Sequence, residues 1–242
     1  MKALGKVAAV VACLLFAAAS WAEDQPRTPL DWAEQLVAHV RPANNEYVYR
    51  PIRVAWKGQH GASDWEVHAD CSGFVMLVME QAYGWDADHF HRWMGKTRPL
   101  AHTIYDTIVA EKGFKRIKLV RDLKPGDVIA MKYQPGEKDT GHVMLVAAEP
   151  RPREASEPVV PGTQQWEVTI IDCSKSGHGP TDTRHQPDGT FTQGAGKGVA
   201  RLYTDEKGNL AGYAWSTSAK SVYQPPDKHL IAAGRLDSDY KP

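Results

Sequence analysis

Cysteine is scarce in this sequence, which has only Cys13, Cys71 and Cys173 among its 242 residues. Small secreted scaffolds that replace a hydrophobic core with several disulfides are thereby excluded. Cys13 lies in an apolar N-terminal segment, so Cys71 and Cys173 are left to explain. In an oxidising compartment two such thiols would by default form a disulfide. That pairing is the main alternative to any chemical role for Cys71.

An excess of charge of one sign is also missing. The sequence has 29 basic and 29 acidic residues, a formal net charge of +0. Proteins that bind nucleic acid or anionic membranes usually carry a basic excess. We therefore expect neither nucleic acid nor a membrane surface as a partner, and we expect a monomer.

The long apolar run of the sequence is confined to residues 7–19, which is too short to span a membrane. Lysines precede this run, and the small residues Ser20 and Ala22 follow it, as is typical of a secretory signal peptide. We expect a signal peptide over residues 1–22, so that the mature protein begins at Glu23, is periplasmic or secreted, and keeps no membrane anchor. An uncleaved N-terminal anchor is the alternative interpretation.

Helical patterns precede strand patterns along the chain. Thr28 and Pro29 open an amphipathic helix, "CSGFVMLVMEQAYG" after Asp70 predicts a buried helix, and "PLAHTIYDTIVAEKG" predicts another that ends at Gly113. Later segments alternate apolar and polar residues, which indicates strands. This order predicts an α+β fold with helices packed on an antiparallel sheet. We interpret 23–242 as one domain, with 50–69 irregular and loop insertions at 85–99, 149–162 and 174–198.

Cys71 stands directly after Asp70, at the predicted start of a helix. The free N–H groups and partial positive charge of a helix N-terminus favour a thiolate, the nucleophilic form of cysteine. Ser72 and Gly73 are small and leave the thiol uncrowded. The simpler alternative is a buried cysteine that only fills space in the core.

A cysteine nucleophile needs a base, and His142 is the best placed of the ten histidines. It begins an apolar strand, and a strand beside the helix-covered face of a sheet would fix the orientation of its ring. Asp172 ends the next predicted strand and could hold the ring tautomer if the two strands are neighbours. Side chains alternate between faces, so Cys173 would then point away from the site. We expect surface or satisfied roles for His39, His68, His89, His91, His102 and His229.

Four short motifs occur in a meaningful order: "DCSGF" at a helix start, then "LKPGDVI", "GHVMLV" and "IIDCS". Together they resemble the NlpC-type cell-wall peptidases of the papain-like superfamily, over roughly residues 30–175. The resemblance implies that Cys71 is the nucleophile, His142 the base and Asp172 the orienting residue. The family more often has His, Asn or Gln at this third position.

The same resemblance implies a substrate and the residues that bind it. An upstream tyrosine, either Tyr47 or Tyr49, would lie near the oxyanion, and Asp70 and Ser72 would bind a free amine of the substrate. We therefore expect a cysteine hydrolase that needs no cofactor and no metal and cleaves an amide bond in the peptide stems of peptidoglycan.

Three alternatives stay open at this stage. A non-catalytic binding module could use the same scaffold, and an acyltransferase or lipid-amide hydrolase could use the same three residues. A zinc site built from Cys71, His68 and "DADHFH" is the third, although its spacing matches no usual zinc pattern.

Overall fold

The computed structural model describes residues 28–242, so the predicted signal peptide and its cleavage site lie outside the described residues. No helix in this part of the chain is long and apolar enough to cross a membrane. The α-helices of this part are α1 (Pro29–His39), α2 (Cys71–Tyr83), α3 (Ala87–Met94) and α4 (Ala101–Val109).

Helices α1 and α2 begin where the sequence predicts. The Thr28 hydroxyl accepts a hydrogen bond from the backbone N–H of Asp31, and the Asp31 carboxylate accepts one from the backbone N–H of Thr28, which forms a capping box. Helix α2 has Asp70 as its N-cap and ends at Gly84, whose φ of 68° is the left-handed conformation that glycine adopts easily.

Two helical predictions need correction. The segment 85–99, expected as a loop insertion, contains α3, because Asp86 caps its first turn and Phe90 and Trp93 bury one face. Helix α4 ends at Val109 rather than at Gly113, since residues 110–112 close as turns.

The segment 50–69 is not wholly irregular, as the sequence suggested, but contributes to a small sheet. Strand β1 (Asn45–Tyr47) pairs in parallel with β3 (Glu66–Ala69), and β2 (Arg53–Ala55) pairs with β3 in the antiparallel direction. In this register Tyr47 lies beside Ala69, two residues before Cys71. The small sheet therefore places the upstream tyrosine close to the start of α2.

A nine-stranded sheet dominates residues 114–236 of the described chain. Its strands pair in the antiparallel direction, as predicted, and run in the order β11-β10-β9-β8-β6-β5-β12-β4, with β7 paired to β8. The strands are β4 (Phe114–Ile117), β5 (Val128–Lys132), β6 (Gly141–Val146), β7 (Arg151–Arg153), β8 (Gln164–Ser174), β9 (Gly194–Thr204), β10 (Leu210–Ala214), β11 (Tyr223–Gln224) and β12 (Leu230–Leu236).

The two faces of the large sheet have different cores. Val143, Leu145 and Ile171 point to the face that the α-helices cover, where Phe74 of α2 is fully buried. Met144 and its neighbours of the same strand phase form a second apolar cluster on the opposite face. Because side chains alternate along a strand, residues 142 and 172 belong to this second face. The helices and the large sheet together form the predicted α+β architecture.

Candidate active site

Cys71 is the first residue of α2, and its side chain is buried, with about 6% of the residue exposed. The Asp70 carboxylate caps the helix: Oδ1 accepts hydrogen bonds from the backbone N–H of Gly73 at 2.7 Å and from the hydroxyl of Ser72 at 3.2 Å. Its other oxygen, Oδ2, pairs with Arg98 from the segment after α3. Both oxygens of Asp70 are therefore engaged within the protein, and the amine-binding role of Asp70 and Ser72 stays a prediction.

His142 connects the nucleophile candidate with a buried acid. Its Nε2 lies 2.7 Å from Oδ2 of Asp172, so Nδ1 is the ring nitrogen left to face Cys71, whose side chain is close enough to raise the pKa of His142. Burial alone would lower the pKa of His142. The negative charge of a Cys71 thiolate and the Asp172 carboxylate outweigh burial and raise this pKa to about 10. An imidazolium is therefore the favoured form beside a thiolate.

The contact between His142 and Asp172 follows from the register of neighbouring strands. Strands β6 and β8 are antiparallel partners, with Leu145 opposite Ile171. Extending that register makes His142 and Asp172 diagonal neighbours on one face of the sheet. This face is the one opposite the helices, so the expectation that His142 lies beside the helix-covered face was wrong. His142 is the second residue of β6, so it faces Cys71 from the beginning of that strand.

Asp172 is fully buried and binds a second histidine that the sequence analysis did not consider. Its Oδ2 also lies 2.9 Å from Nε2 of His178, and its Oδ1 accepts a hydrogen bond from Arg184 at 2.9 Å. Burial alone would raise the pKa of Asp172. The positive charges of Arg184 and His178, together with the hydrogen bonds from both histidines, hold this pKa well below its usual range. Asp172 is therefore surrounded by two histidine nitrogens and one guanidinium donor.

His178 and Trp215 enclose this acid. Nδ1 of His178 lies 2.5 Å from the backbone carbonyl oxygen of Trp215, and the two rings stack with centroids 4.3 Å apart. The Trp215 ring also meets His142 edge to face, at 4.8 Å. His178 itself is about 1% exposed. The indole therefore contacts both histidines that share the Asp172 carboxylate.

Arg184 anchors the outer side of the cluster. This buried guanidinium donates to Asp172, to both oxygens of Asp182 at 2.8–2.9 Å, and to the Ser174 hydroxyl at 2.6 Å. Asp182 in turn accepts a hydrogen bond from the backbone N–H of His178 at 2.8 Å. The segment between β8 and β9, interpreted from sequence as a polar loop, thus supplies three buried residues to the site.

Alternating glycines make room for these residues on the face of β9. Gly196 lies opposite Asp172, and Gly198 lies opposite Ile170. A Cβ atom at Gly196 would collide with the Arg184 side chain, and one at Gly198 would collide with Asp182. The pattern "GAGKG", which follows "GHGPTDTR" within the same Gly-rich region, was the sequence signal that could have revealed the cluster.

Tyr47 and Tyr49 occupy different positions near Cys71. Tyr47 is the nearer one: burial raises its pKa, and the charges of Cys71, Tyr49 and Asp70 raise it further. Tyr49 is about 44% exposed and donates a hydrogen bond to Asp139 at 2.6 Å, and this bond raises its pKa to about 12. The Lys175 ammonium lies over both rings, 4.9–5.1 Å from their centroids.

Cys173 is buried, free and turned away from His142. Its thiol donates to the backbone carbonyl of Ala69 at 3.0 Å, on the helix-covered side of the sheet. Burial raises the pKa of Cys173 well above its ordinary value, and the charge of Asp172 raises it further. Cys71 and Cys173 are both free thiols, so the disulfide alternative does not describe this structure.

One histidine of the zinc alternative, His68, has a different neighbour. His68 lies on β3, and its Nδ1 is 3.5 Å from a carboxylate oxygen of Glu46. Over residues 28–242, no three His, Cys, Asp or Glu side chains form a group that could hold a metal ion.

Comparisons with known proteins agree with the motifs. The family model described as the NlpC/P60 family matches residues 53–174, a range that includes Cys71, His142 and Asp172. An uncharacterized protein of Acanthamoeba polyphaga mimivirus is 35% identical over 219 residues, which cover 86% of this chain and 96% of that protein. No solved structure is significantly similar to the chain.

Proposed function

Since the chain belongs to the NlpC/P60 family, whose members are generally cysteine peptidases or amidases, we propose that it hydrolyses an amide bond in the peptide stems of peptidoglycan. The observation that carries this proposal is the chain of contacts from Cys71 through His142 to the buried carboxylate of Asp172. In this proposal Cys71 is the nucleophile, His142 the general acid and base, and Asp172 the residue that orients His142.

The first half of the reaction forms a thioester. The Cys71 thiolate attacks the carbonyl carbon of the substrate amide, and the developing oxyanion meets the free backbone N–H groups of the first turn of α2. As the C–N bond breaks, His142 transfers its Nδ1 proton to the leaving amine. Nε2 keeps its proton because it donates to Asp172, so a neutral ring with a basic Nδ1 remains.

The second half regenerates the enzyme. The neutral His142 ring takes a proton from water, and the resulting hydroxide equivalent attacks the thioester carbon. The C–S bond breaks, the carboxylic acid product leaves, and the thiolate–imidazolium pair returns. Burial and the charge of nearby Cys71 raise the pKa of Tyr47, so its hydroxyl keeps its proton and can donate to the oxyanion, which supports its assignment over Tyr49 as the tyrosine of the site.

Defined muropeptides provide the test. Protein comprising residues 23–242 is incubated with peptides of known stem sequence, and mass spectrometry identifies the products. We expect a gain of one water and a free amine at a single amide bond, and no product from the Cys71→Ala variant. Binding without cleavage by the wild-type protein would favour the binding-module alternative. Transfer of the acyl group to an added amine, without hydrolysis, would favour the acyltransferase alternative.

We also propose that the protein acts outside the cytoplasm, as a periplasmic or secreted enzyme, because the N-terminal residues have the composition of a signal peptide. Intact-mass measurement of protein recovered from the periplasm or medium tests this. We expect the mass of a chain that begins at Glu23. The mass of a chain that retains residues 1–22 would contradict the proposal.

A further inference from the structure

His178 is buried between two hydrogen-bond acceptors. Nδ1 lies 2.5 Å from the carbonyl oxygen of Trp215, and Nε2 lies 2.9 Å from Oδ2 of Asp172. A carbonyl oxygen carries no proton, so Nδ1 must be the donor there. The proton of the second contact lies either on Nε2 of His178 or on the carboxyl group of Asp172.

The surroundings of Asp172 decide between these two forms. Oδ2 of Asp172 faces Nε2 of both His142 and His178, at 2.7 and 2.9 Å. Hydrogen bonding alone would permit a protonated Oδ2, which could donate to His178 while it accepts the Nε2–H of His142. The ionised carboxylate is favoured, because a carboxyl group ordinarily loses its proton at a lower pH than an imidazolium, and Arg184 donates to the other oxygen of Asp172 at 2.9 Å. His178 then carries protons on both nitrogens and is a cation.

The balance of buried charge agrees with this assignment. Behind His142 the cluster contains two carboxylates, Asp172 and Asp182, and the guanidinium of Arg184, all essentially inaccessible to solvent. With Asp172 ionised, a neutral His178 would leave the cluster with one uncompensated negative charge, which is costly to bury. A cationic His178 brings the cluster to neutrality.

We propose that His178 is a positioning residue that keeps Asp172 ionised, directs its Oδ2 at Nε2 of His142, and offsets part of its charge. The offset matters because His142 must give up its proton to a leaving amine. An uncompensated carboxylate would hold the imidazolium more tightly, whereas a missing donor would leave the carboxylate less well directed. This role rests on the proposed function, but it makes predictions that need no substrate.

Two variants separate the two bonds of His178. Glutamine places its side-chain nitrogen near the position of Nε2, so His178→Gln retains the donor to Asp172 but loses the charge. Asparagine places its nitrogen near the position of Nδ1, so His178→Asn retains the donor to Trp215 and loses the contact with Asp172. The matched control is His185→Gln, because His185 belongs to the same segment but its ring contacts Phe191 rather than the cluster.

The expected results rank the variants in one order. His178→Asn lowers kcat by more than about tenfold, with KM within about twofold, because His142 loses its oriented partner. His178→Gln keeps kcat within about threefold at its own pH optimum. Its alkaline limb moves upward by about one pH unit, since the charge that offset Asp172 is gone. A role confined to holding Trp215 predicts the reverse order, which would overturn the proposal, as would an unmoved limb in His178→Gln.

A second readout is independent of the substrate. The pH dependence of Cys71 alkylation by iodoacetamide reports when the His142 imidazolium loses its proton. The charged or titratable groups that face His142 are Cys71 and Asp172, with His178 and Arg184 behind Asp172 and the uncharged ring of Trp215 beside it. We expect the upper transition to move to higher pH in His178→Gln and to stay in place in His185→Gln. If muropeptides are not cleaved, this shift still tests His178.

The wild-type protein provides a test even if neither variant folds. Nitrogen-15 NMR of the histidine rings distinguishes protonated from unprotonated ring nitrogens. We expect both ring nitrogens of His178 to carry protons in the folded protein at neutral pH, because each faces a hydrogen-bond acceptor. An unprotonated His178 nitrogen would overturn the proposal.

Discussion

Cys71 and Cys173 are both buried and both free, yet different groups face their sulfur atoms. Cys71 opens a helix and faces a histidine whose protonated form is favoured. Cys173 lies within a strand and donates to a carbonyl oxygen, in surroundings that raise its pKa. The two sulfurs therefore face different groups, an imidazole in one case and a carbonyl oxygen in the other, and we expect this difference to separate their reactivities.

The largest expected difference between the two cysteines is in turnover. Cys71→Ala and His142→Ala should each lower hydrolysis of muropeptides by more than about 10³-fold, and the double variant should be little worse, because the two residues act as one unit. Cys173→Ala should keep turnover within about twofold, since its sulfur faces the helix layer. Steady-state rates of the wild-type protein and of all four variants on one muropeptide provide the measurement. Strictly additive losses in the double variant would contradict a shared role.

The next difference is in reactivity towards alkylating agents. Near neutral pH, iodoacetamide should modify Cys71 and leave Cys173 unmodified, because the pKa of Cys173 is raised well above its ordinary value and the thiol is buried. Peptide mapping by mass spectrometry identifies the labelled residue. His142→Ala should slow labelling of Cys71, since the thiolate loses its imidazolium partner. Equal labelling of both cysteines in the folded protein would remove the distinction between them.

The pH dependence of stability should also depend on the Cys71–His142 pair. Burial would lower the pKa of His142, but Cys71 and Asp172 raise it to about 10, from an ordinary value near 6.5. The folded state thus binds this proton more tightly than the unfolded chain. The resulting stability is fully present below about pH 6.5 and is lost as the pH rises through 10.

We therefore expect the melting temperature of the wild-type protein to fall between about pH 7 and 10, and that of His142→Ala to fall less. Thermal melts of both proteins across this range provide the measurement. Parallel curves would show that His142 does not hold a proton in the way that the geometry implies.

The smallest expected effect is the loss of the Cys173 sulfur. Cys173→Ala removes a buried hydrogen bond to Ala69 and a small volume of packing, which should lower the free energy of unfolding by about 1–2 kcal/mol. Urea denaturation measures this change. Because Cys173 has no part in the proposed reaction, a stability loss accompanied by normal turnover is expected. A loss of turnover without any loss of stability would place Cys173 in the reaction.

Local pattern was enough to select the candidate residues. An Asp-Cys-Ser-Gly helix start and a histidine at the start of an apolar strand singled out Cys71 and His142 as candidates, and strand alternation correctly placed Asp172 and Cys173 on opposite faces. The helix in 85–99 and the strands in 50–69 were missed, because α3 depends on packing against α4 and Phe114, and β2 and β3 depend on pairing with each other, rather than on their own periodicity.

His178, Asp182 and Arg184 were missed for a different reason. They lie in a polar segment between β8 and β9 with no regular period, and their burial depends on contacts with strands on either side. Polar composition predicts an exposed loop, and only the charge balance of the cluster makes burial of these residues favourable. No pattern in the segment alone carries that information, although the glycines of β9 point to it.

Those glycines also make substitutions at positions that are distant in sequence depend on one another. Gly196 and Arg184 occupy adjoining space that cannot hold both a Cβ and the guanidinium stem, so a lineage that replaces the glycine must first give up the arginine. Gly196 should therefore be retained wherever Arg184 donates to Asp172. A genome search for Asp172, His178, Arg184 and Gly196 together would separate chains with two histidines on one carboxylate from chains with a single histidine there.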